Sequence, residues 1–395
     1  MSTPANSVGA RVQHIRKRRG LTQQELAGSA GVSVSLVKKL EQGERADVRV
    51  ETARKLAAAL RVPTTRLLPH HSGDGETDEA GTSTEAAWEP VRRALAGQAP
   101  QPEEPPTAAG VRGALRDLAP ALTSHRYAAV IATLAALIRD ADALDGEPDV
   151  RAVHADILTT VGYLLTQTRQ FGVAELTLQR AIDAAPDRLA AAAAADTLIW
   201  LHLRQGDLAA AGQMAARWAD DSEPRLSRAT VLELVLWGRF LLAITNAAVR
   251  DNRPGDAADA LQLAEAAAAR IGRDARRHDD SQCVFGPYTV ACIRAETHAL
   301  TGQPDKTLKI AEALPAAPYP ELVSRLRHRL DVASACAQLR RYDQAIAAIA
   351  EVRARAPEWL AQQRYARDIL AGIIEHRRTL TPDMRELAEA VALPL

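Results

Sequence analysis

The stretch LTQQELAGSAGVSVSLVKKLEQGE, residues 21–44, decides how this chain is read. Its punctuation describes two short helices crossing at a tight turn. Thr22 supplies an N-cap hydroxyl, and Glu25, three residues on, completes a capping box. Leu26 and Ala27 point inward, and Gly31 permits the sharp change of direction. Ser33 caps the second helix, Leu36, Val37 and Leu40 recur at helical spacing as its buried stripe, and Gly43 ends it. Val34, Ser35, Lys38 and Lys39 stay outward. Small side chains at the N-terminal end followed by a basic pair suit a helix entering the major groove of duplex DNA, where short groups approach base edges and cations approach phosphates.

Outward from this pair, residues 8–19 predict a first helix with Val12 and Ile15 inward and a basic end from Arg16 to Arg19. Arg45 and Arg49 sit in the loop after the second helix, placed for backbone phosphates. An amphipathic run over 50–60 and a short turn over 64–68 close a five-helix module. Residues 1–68 carry 13 Lys and Arg against 5 Asp and Glu, leaving 36 against 44 in the remainder of a chain whose net charge is zero. A basic N-terminal module on an acidic body is the electrostatic footprint of a nucleic-acid reader carrying a second domain.

Residues 8–68 resemble the Cro/CI-type helix-turn-helix of the XRE family. The likeness rests on RxxRGLTQQELA at 16–27, AGVSVSLVKKLEQGER at 30–45 and the amphipathic helix that follows. It implies that Gln23 touches a phosphate at the start of the second helix, and that Val34, Ser35 and Lys39 read base edges. Val34 departs from the polar residue many relatives carry. Arg16 and Glu41 fall where phage repressors of this kind place an internal ion pair, which implies a structural role. The candidate DNA-contacting set is therefore Gln23, Ser33, Val34, Ser35, Lys38, Lys39 and Arg45.

The body of the chain is helical by composition. Of 395 residues 47% are hydrophobic and 25% charged, as in ordinary globular proteins, while aromatics are only 4% and Ala, Leu and Arg abound. No run reads as a strand. Residues 69–110 change to Gly, Ser, Thr, Pro and acids and form a linker, with one helix expected around 85–96, broken by Pro90 near its start. Trp88 is too costly to leave in water, so that helix is expected to dock. From 111 to 395 long helical patterns pair off across polar turns at 168–172, 204–207, 252–256, 301–305 and 340–343, each followed by an alanine-rich helix. This is the punctuation of a helical-hairpin solenoid, with residues 364–393 capping the stack. The whole chain is thus expected to be all-α.

This part resembles a tetratricopeptide-type solenoid with irregular spacing. The order of modules, with WEPVRRAL at 88–95 and FGPYTV at 285–290, resembles a set of actinobacterial XRE regulators. That likeness implies transcriptional control, with the repeats as sensor or dimerisation domain. In such a solenoid the inner wall is lined by the first helix of each pair. Gln167, Trp200, Trp237 and Asn246 lie on such helices, and the amide of Asn246 suits a peptide backbone. Phe285 and Tyr288 either plug the groove between repeats or form one wall of a ligand pocket. The ligand candidates are Trp200, Trp237, Asn246, Phe285 and Tyr288.

No Walker loop, GxSxG, HExxH or paired CxxC is present, so neither enzyme activity nor a cofactor or metal is expected. His70 and His71 sit in the linker and read as solvated. Cys283, Cys292 and Cys336 lack metal-ligand spacing and fit buried thiols in a reducing cytoplasm. No signal peptide and no apolar run near the ~20 residues of a membrane span are read. The expected protein is a DNA-binding regulator, a homodimer on double-stranded DNA, controlled by a peptide or small-molecule effector. The rivals are control by a partner protein, and an interaction scaffold whose helix-turn-helix is merely structural.

Overall fold

The computed structural model describes residues 7–45, 48, 50–68, 82–102, 104–144, 148–276, 283–315, 323–377 and 379–395. Arg49, His70, His71 and the linker over 69–81 lie outside them.

The N-terminal module contains α1 (Val8–Arg18), α2 (Gln23–Ala30), α3 (Val34–Glu41) and α4 (Val50–Ala59). Its expected fifth helix is a single 3-10 turn, Thr64–Arg66, because Pro63 brings no N–H and only three residues are available. The capping box forms as read: Glu25 N donates to Thr22 Oγ1 at 3.1 Å and Thr22 N donates to Glu25 Oε2 at 2.7 Å. Gly31 takes the left-handed conformation at φ 63°. Val12, Leu26, Val37, Leu40, Leu56 and Leu60 close one small core, while Leu36 is only half-buried. Gly9 is a requirement the sequence did not announce. It lies where α1 crosses α3, and a Cβ there would collide with the Leu40 carbonyl.

Linker sequence turns into packed structure at α5 (Thr82–Leu95), which continues through Pro90 rather than breaking there. Trp88, Val91 and Ala94 are fully buried against α8 (Tyr127–Asp142), and this contact holds the helix across the missing donor. Between them lie α6 (Ala108–Asp117) and α7 (Ala119–Thr123).

Five hairpins follow: α9 (Pro148–Gln167) with α10 (Phe171–Ala184), α11 (Arg188–Gln205) with α12 (Leu208–Asp221), α13 (Val231–Arg250) with α14 (Pro254–Ile271), α15 (Pro287–Leu300) with α16 (Pro304–Ala313), and α17 (Val323–Gln338) with α18 (Tyr342–Arg355). Each turn is built the same way. Arg169, Gly206, Asn252, Gly302 and Arg340 are left-handed, and the next residue's N–H returns to the carbonyl five positions back, as in Gln170 N to Leu165 O at 2.8 Å. This Schellman pattern satisfies the last carbonyls of each first helix while reversing the chain. The polar turns read from sequence coincide with these five positions. Successive first helices pack on one another, and α19 (Pro357–Ala361), α20 (Arg364–Ile374) and α21 (Pro382–Ala390) close the end.

Two expectations need correction. Ala275–Arg276 and Val284–Phe285 form a two-residue antiparallel pair that no sequence pattern flagged. One 20-residue helix, α13, is long and apolar enough by length and composition to cross a membrane, with mean hydropathy 1.5 in its best window. Two thirds of that window is buried, and Arg239 and Arg250 on the helix are ion-paired, as suits the central helix of a stack.

Truncation of Trp88 to Ala should cost about 3–5 kcal/mol, as for other large buried aromatics. Urea unfolding followed by circular dichroism measures it; an unchanged midpoint would mean that α5 contributes nothing to the repeat core.

Candidate functional site

The outward face of α3 is short and cationic. Ser35, Lys38 and Lys39 are exposed, as is Arg45 beyond the helix end. Ser33 is committed to its cap, its Oγ accepting from Leu36 N at 3.2 Å. Val34 is half-buried against the module core, which accounts for an apolar residue there. Gln23 donates its amide to Glu41 Oε2 at 2.8 Å, and this bond holds the side chain at the start of α2.

Glu41 is the tie among the three helices behind that face. Arg16 Nε and Nη2 donate to its two oxygens at 2.6 and 2.7 Å, and Arg16 Nη1 donates to Leu21 O at 2.7 Å. The Glu41 side chain is 1% exposed. Burial alone would raise its carboxyl, but the hydrogen bonds from Arg16 and Gln23 and the Arg16 charge carry it below the ordinary carboxylate range. The pair was expected from resemblance, and it is present.

The second candidate is a cavity of about 2020 Å³ between the N-terminal module and the inner wall of the repeats. That is roughly twice the upper end of an ordinary small-molecule site, ~1,000 Å³. The first helices reach it at helical spacing: Asp196, Trp200 and Arg204 on α11, and Arg239, Asn246 and Arg250 on α13. Tyr163 and Gln167 come from α9, Glu296 from α15 and Arg327 from α17. Sequence reasoning missed these charges. A buried cation or acid in phase with Trp200 or Asn246 was the available signal.

The ligand candidates separate. Trp200 and Asn246 line the cavity, and Asn246 Oδ1 accepts from Arg250 Nη1 at 3.1 Å. Trp237 does not reach it. Nine residues from Asn246, at about 100° each, it lies on the opposite face of α13, buried in the core. Phe285 is fully buried with its ring against Gly238, where a side chain would collide with it. Tyr288 is half-buried outside the cavity lining, and burial pushes its hydroxyl up to about 12. Phase within the helix, which residue type alone does not give, decides these cases.

The cavity wall is joined to the N-terminal module at the α13–α14 turn. Thr64 Oγ1 donates to Arg250 O at 2.6 Å, Thr65 N to Asp251 Oδ1 at 2.8 Å, and Asn252 Nδ2 to Arg54 O at 3.2 Å. Gly206, in the neighbouring turn, packs against Val50 so closely that a side chain would collide. On the cavity side, Arg250 Nη2 donates to Glu296 Oε1 at 2.6 Å and Arg327 Nη2 to the same oxygen at 2.9 Å.

Residues 12–67 match the family model described as Helix-turn-helix (HTH_3), and the N-terminal module is a domain of that type. Over 60 residues the chain is 37% identical to an uncharacterised HTH-type transcriptional regulator, RghRB of Bacillus subtilis (strain 168). That match covers 15% of this chain and 43% of the relative's length. Among solved structures, Bacillus thuringiensis PlcR in complex with the peptide PapR7 and DNA is similar at 12% identity and a TM-score of 0.35, over 78% of this chain and 95% of that one.

Removing Glu41 should strand the Arg16 charge and destabilise the module by about 3–5 kcal/mol. Because the folded carboxyl lies below its unfolded value of ~4.3, its contribution is present above that pH and is lost as the pH falls through the folded value. Acid unfolding of Glu41→Gln should therefore be less steep below pH ~4 than wild type, by fluorescence or circular dichroism; superimposable profiles would contradict this.

Proposed function

We propose that the protein is a sequence-specific DNA-binding transcriptional regulator, acting as a homodimer, whose repeat groove holds a peptide or small-molecule effector. The observation that carries this reading is the pairing of an exposed, short and cationic α3 face with a large cavity of mixed charged and apolar lining, roofed by the same module. Gln23, Ser33, Val34, Ser35, Lys38, Lys39 and Arg45 contact DNA in this reading; the XRE-type likeness supports the roles of Gln23, Val34, Ser35 and Lys39, and exposure supports Lys38 and Arg45. An effector touching Arg250, or the Asn246 and Glu296 side chains that hold its guanidinium, acts on the residue whose carbonyl accepts the Thr64 hydroxyl and whose neighbour Asp251 accepts from Thr65 N. A ligand that prefers one setting of the α13–α14 turn shifts the population towards it, by no more than its differential affinity. Dimeric readers need half-sites about 34–36 Å apart, so a displacement of a few ångströms weakens one half-site.

Gel shifts with genomic fragments test the reading. Lys39→Ala and Ser35→Ala should each weaken specific binding by ~1–3 kcal/mol, whereas Arg45→Ala should weaken all sequences alike and flatten the salt dependence. No shifted fragment for the wild-type protein would overturn the reading.

The joint between groove and reader makes a separate prediction. Asn252→Ala removes the bonds to Arg54 O and Thr64 Oγ1, and should leave binding by the effector-free protein within about twofold while diminishing the response to effector. A reporter carrying the operator reads this out; an undiminished response would mean that the α13–α14 turn does not relay the signal.

A further inference from the structure

Most cations of the inner wall are neutralised in place. Arg239 pairs with Asp196 at 3.0 Å, and Arg250 and Arg327 share Glu296. Arg204 differs. Among the described residues no carboxylate pairs with it. Its Nη1 donates to Gln363 Oε1 at 3.1 Å and its Nη2 to Gln362 O at 3.5 Å, both neutral acceptors, and its buried Nε has no hydrogen-bond partner. The guanidinium lies 5.5 Å from the Trp200 ring centre, and Trp200 stacks on Tyr163 with centroids 5.5 Å apart. A second orphan closes the group. Gln167, 1% exposed, donates to Tyr163 OH at 2.8 Å, while its own buried Oε1 accepts from no partner. All four side chains line the cavity. Burial, with Arg169 and Arg327 nearby, brings the Arg204 guanidinium down to about 10, so it remains a cation at neutral pH. A half-buried charge without a counter-charge is costly to keep, and an incoming anion offsets that cost.

We propose that Arg204 and Gln167 form the polar end of the effector site and select a ligand bearing a carboxylate and a hydrogen-bond donor, with an apolar or planar group against Trp200 and Tyr163. This rests on the groove being the effector site. The guanidinium has further N–H groups in a fixed plane, the geometry that grips a carboxylate with two parallel bonds. Gln167 Oε1 is an acceptor and takes an N–H or O–H. A peptide C-terminus offers carboxylate and N–H together, and a small aromatic acid offers carboxylate and ring.

Full-length protein is incubated with a random pool of short peptides carrying free C-terminal carboxylates, with the same pool C-terminally amidated, and with phenylacetate and indole-3-acetate. Retained molecules are identified by mass spectrometry. Free-acid peptides should be retained on the order of tenfold better than their amides, from the strength of charge-assisted hydrogen bonds. Arg204→Gln should abolish the preference and Arg204→Lys should keep part of it. Retention of the small acids alone would assign the same subsite to a small carboxylate ligand. The comparison of acids with amides is made on the wild-type protein, so it stands even if a variant misfolds. The subsite is overturned if amides are retained as well as acids, if none of the probes is retained, or if Arg204→Gln retains them undiminished. A gel shift of the same preparation separates the two readings: DNA binding without acid retention sinks the subsite alone, and acid retention without DNA binding sinks the regulator.

Discussion

Arg250 is the residue on which the two halves of the molecule meet. Its guanidinium is spent on Glu296 and Asn246 in the cavity wall, and its carbonyl accepts the Thr64 hydroxyl of the N-terminal module. Glu296 is shared with Arg327, which gives one buried carboxylate two cations. Burial would raise Glu296, and the two arginines lower it. Asp331, nearby, goes the other way: burial and the Glu296 charge push it well above the carboxylate range. One of the two acids holds the negative charge and the other is discouraged from doing so. Charged groups in the wall of a helical stack are tolerable on those terms, since a buried charge is costly unless paired, and Arg204 is the exception in this wall.

The hairpin turns carry the second constraint. A first helix must end, turn and send its partner back within two or three residues, and a left-handed residue with a Schellman bond does this five times over. Gly206 and Gly302 adopt that conformation freely, and Asn252 tolerates it. Arg169 and Arg340 do not, and for them it costs about 1–2 kcal/mol each, which stacking of neighbouring hairpins offsets. Asn252 gains a further reason to sit there, because its amide reaches Arg54 and Thr64. A turn that is punctuation elsewhere is an interface here.

The N-terminal domain is held by its α4 edge and its 3-10 turn, while α3 keeps Ser35, Lys38 and Lys39 in solvent. Its own rigidity comes from the Glu41 tie and from the close crossing at Gly9. Anything that moves the α13–α14 turn therefore acts on a preassembled body rather than on a loose set of helices.

The helices, the capping box, the left-handed Gly31, the five hairpin turns and the buried fate of Trp88 were legible in residue order, because each follows from local rules: cap chemistry, glycine's freedom, apolar periodicity. So was the cationic α3 face, since i, i+3 and i+4 spacing fixes which residues share a side. The pairing of Arg16 with Glu41 came from resemblance, not from spacing. What residue order did not give was phase between helices. Trp237 and Asn246 sit on one helix and looked equivalent, yet half a turn separates the core from the cavity. Phe285 was an ambiguous loop aromatic until Gly238 provided the hollow it fills. Arg204, Glu296 and the bonds from Thr64 to Arg250 and Asn252 join residues up to 188 positions apart. No local preference encodes such a contact; only the stacking of the hairpins brings those groups to one wall.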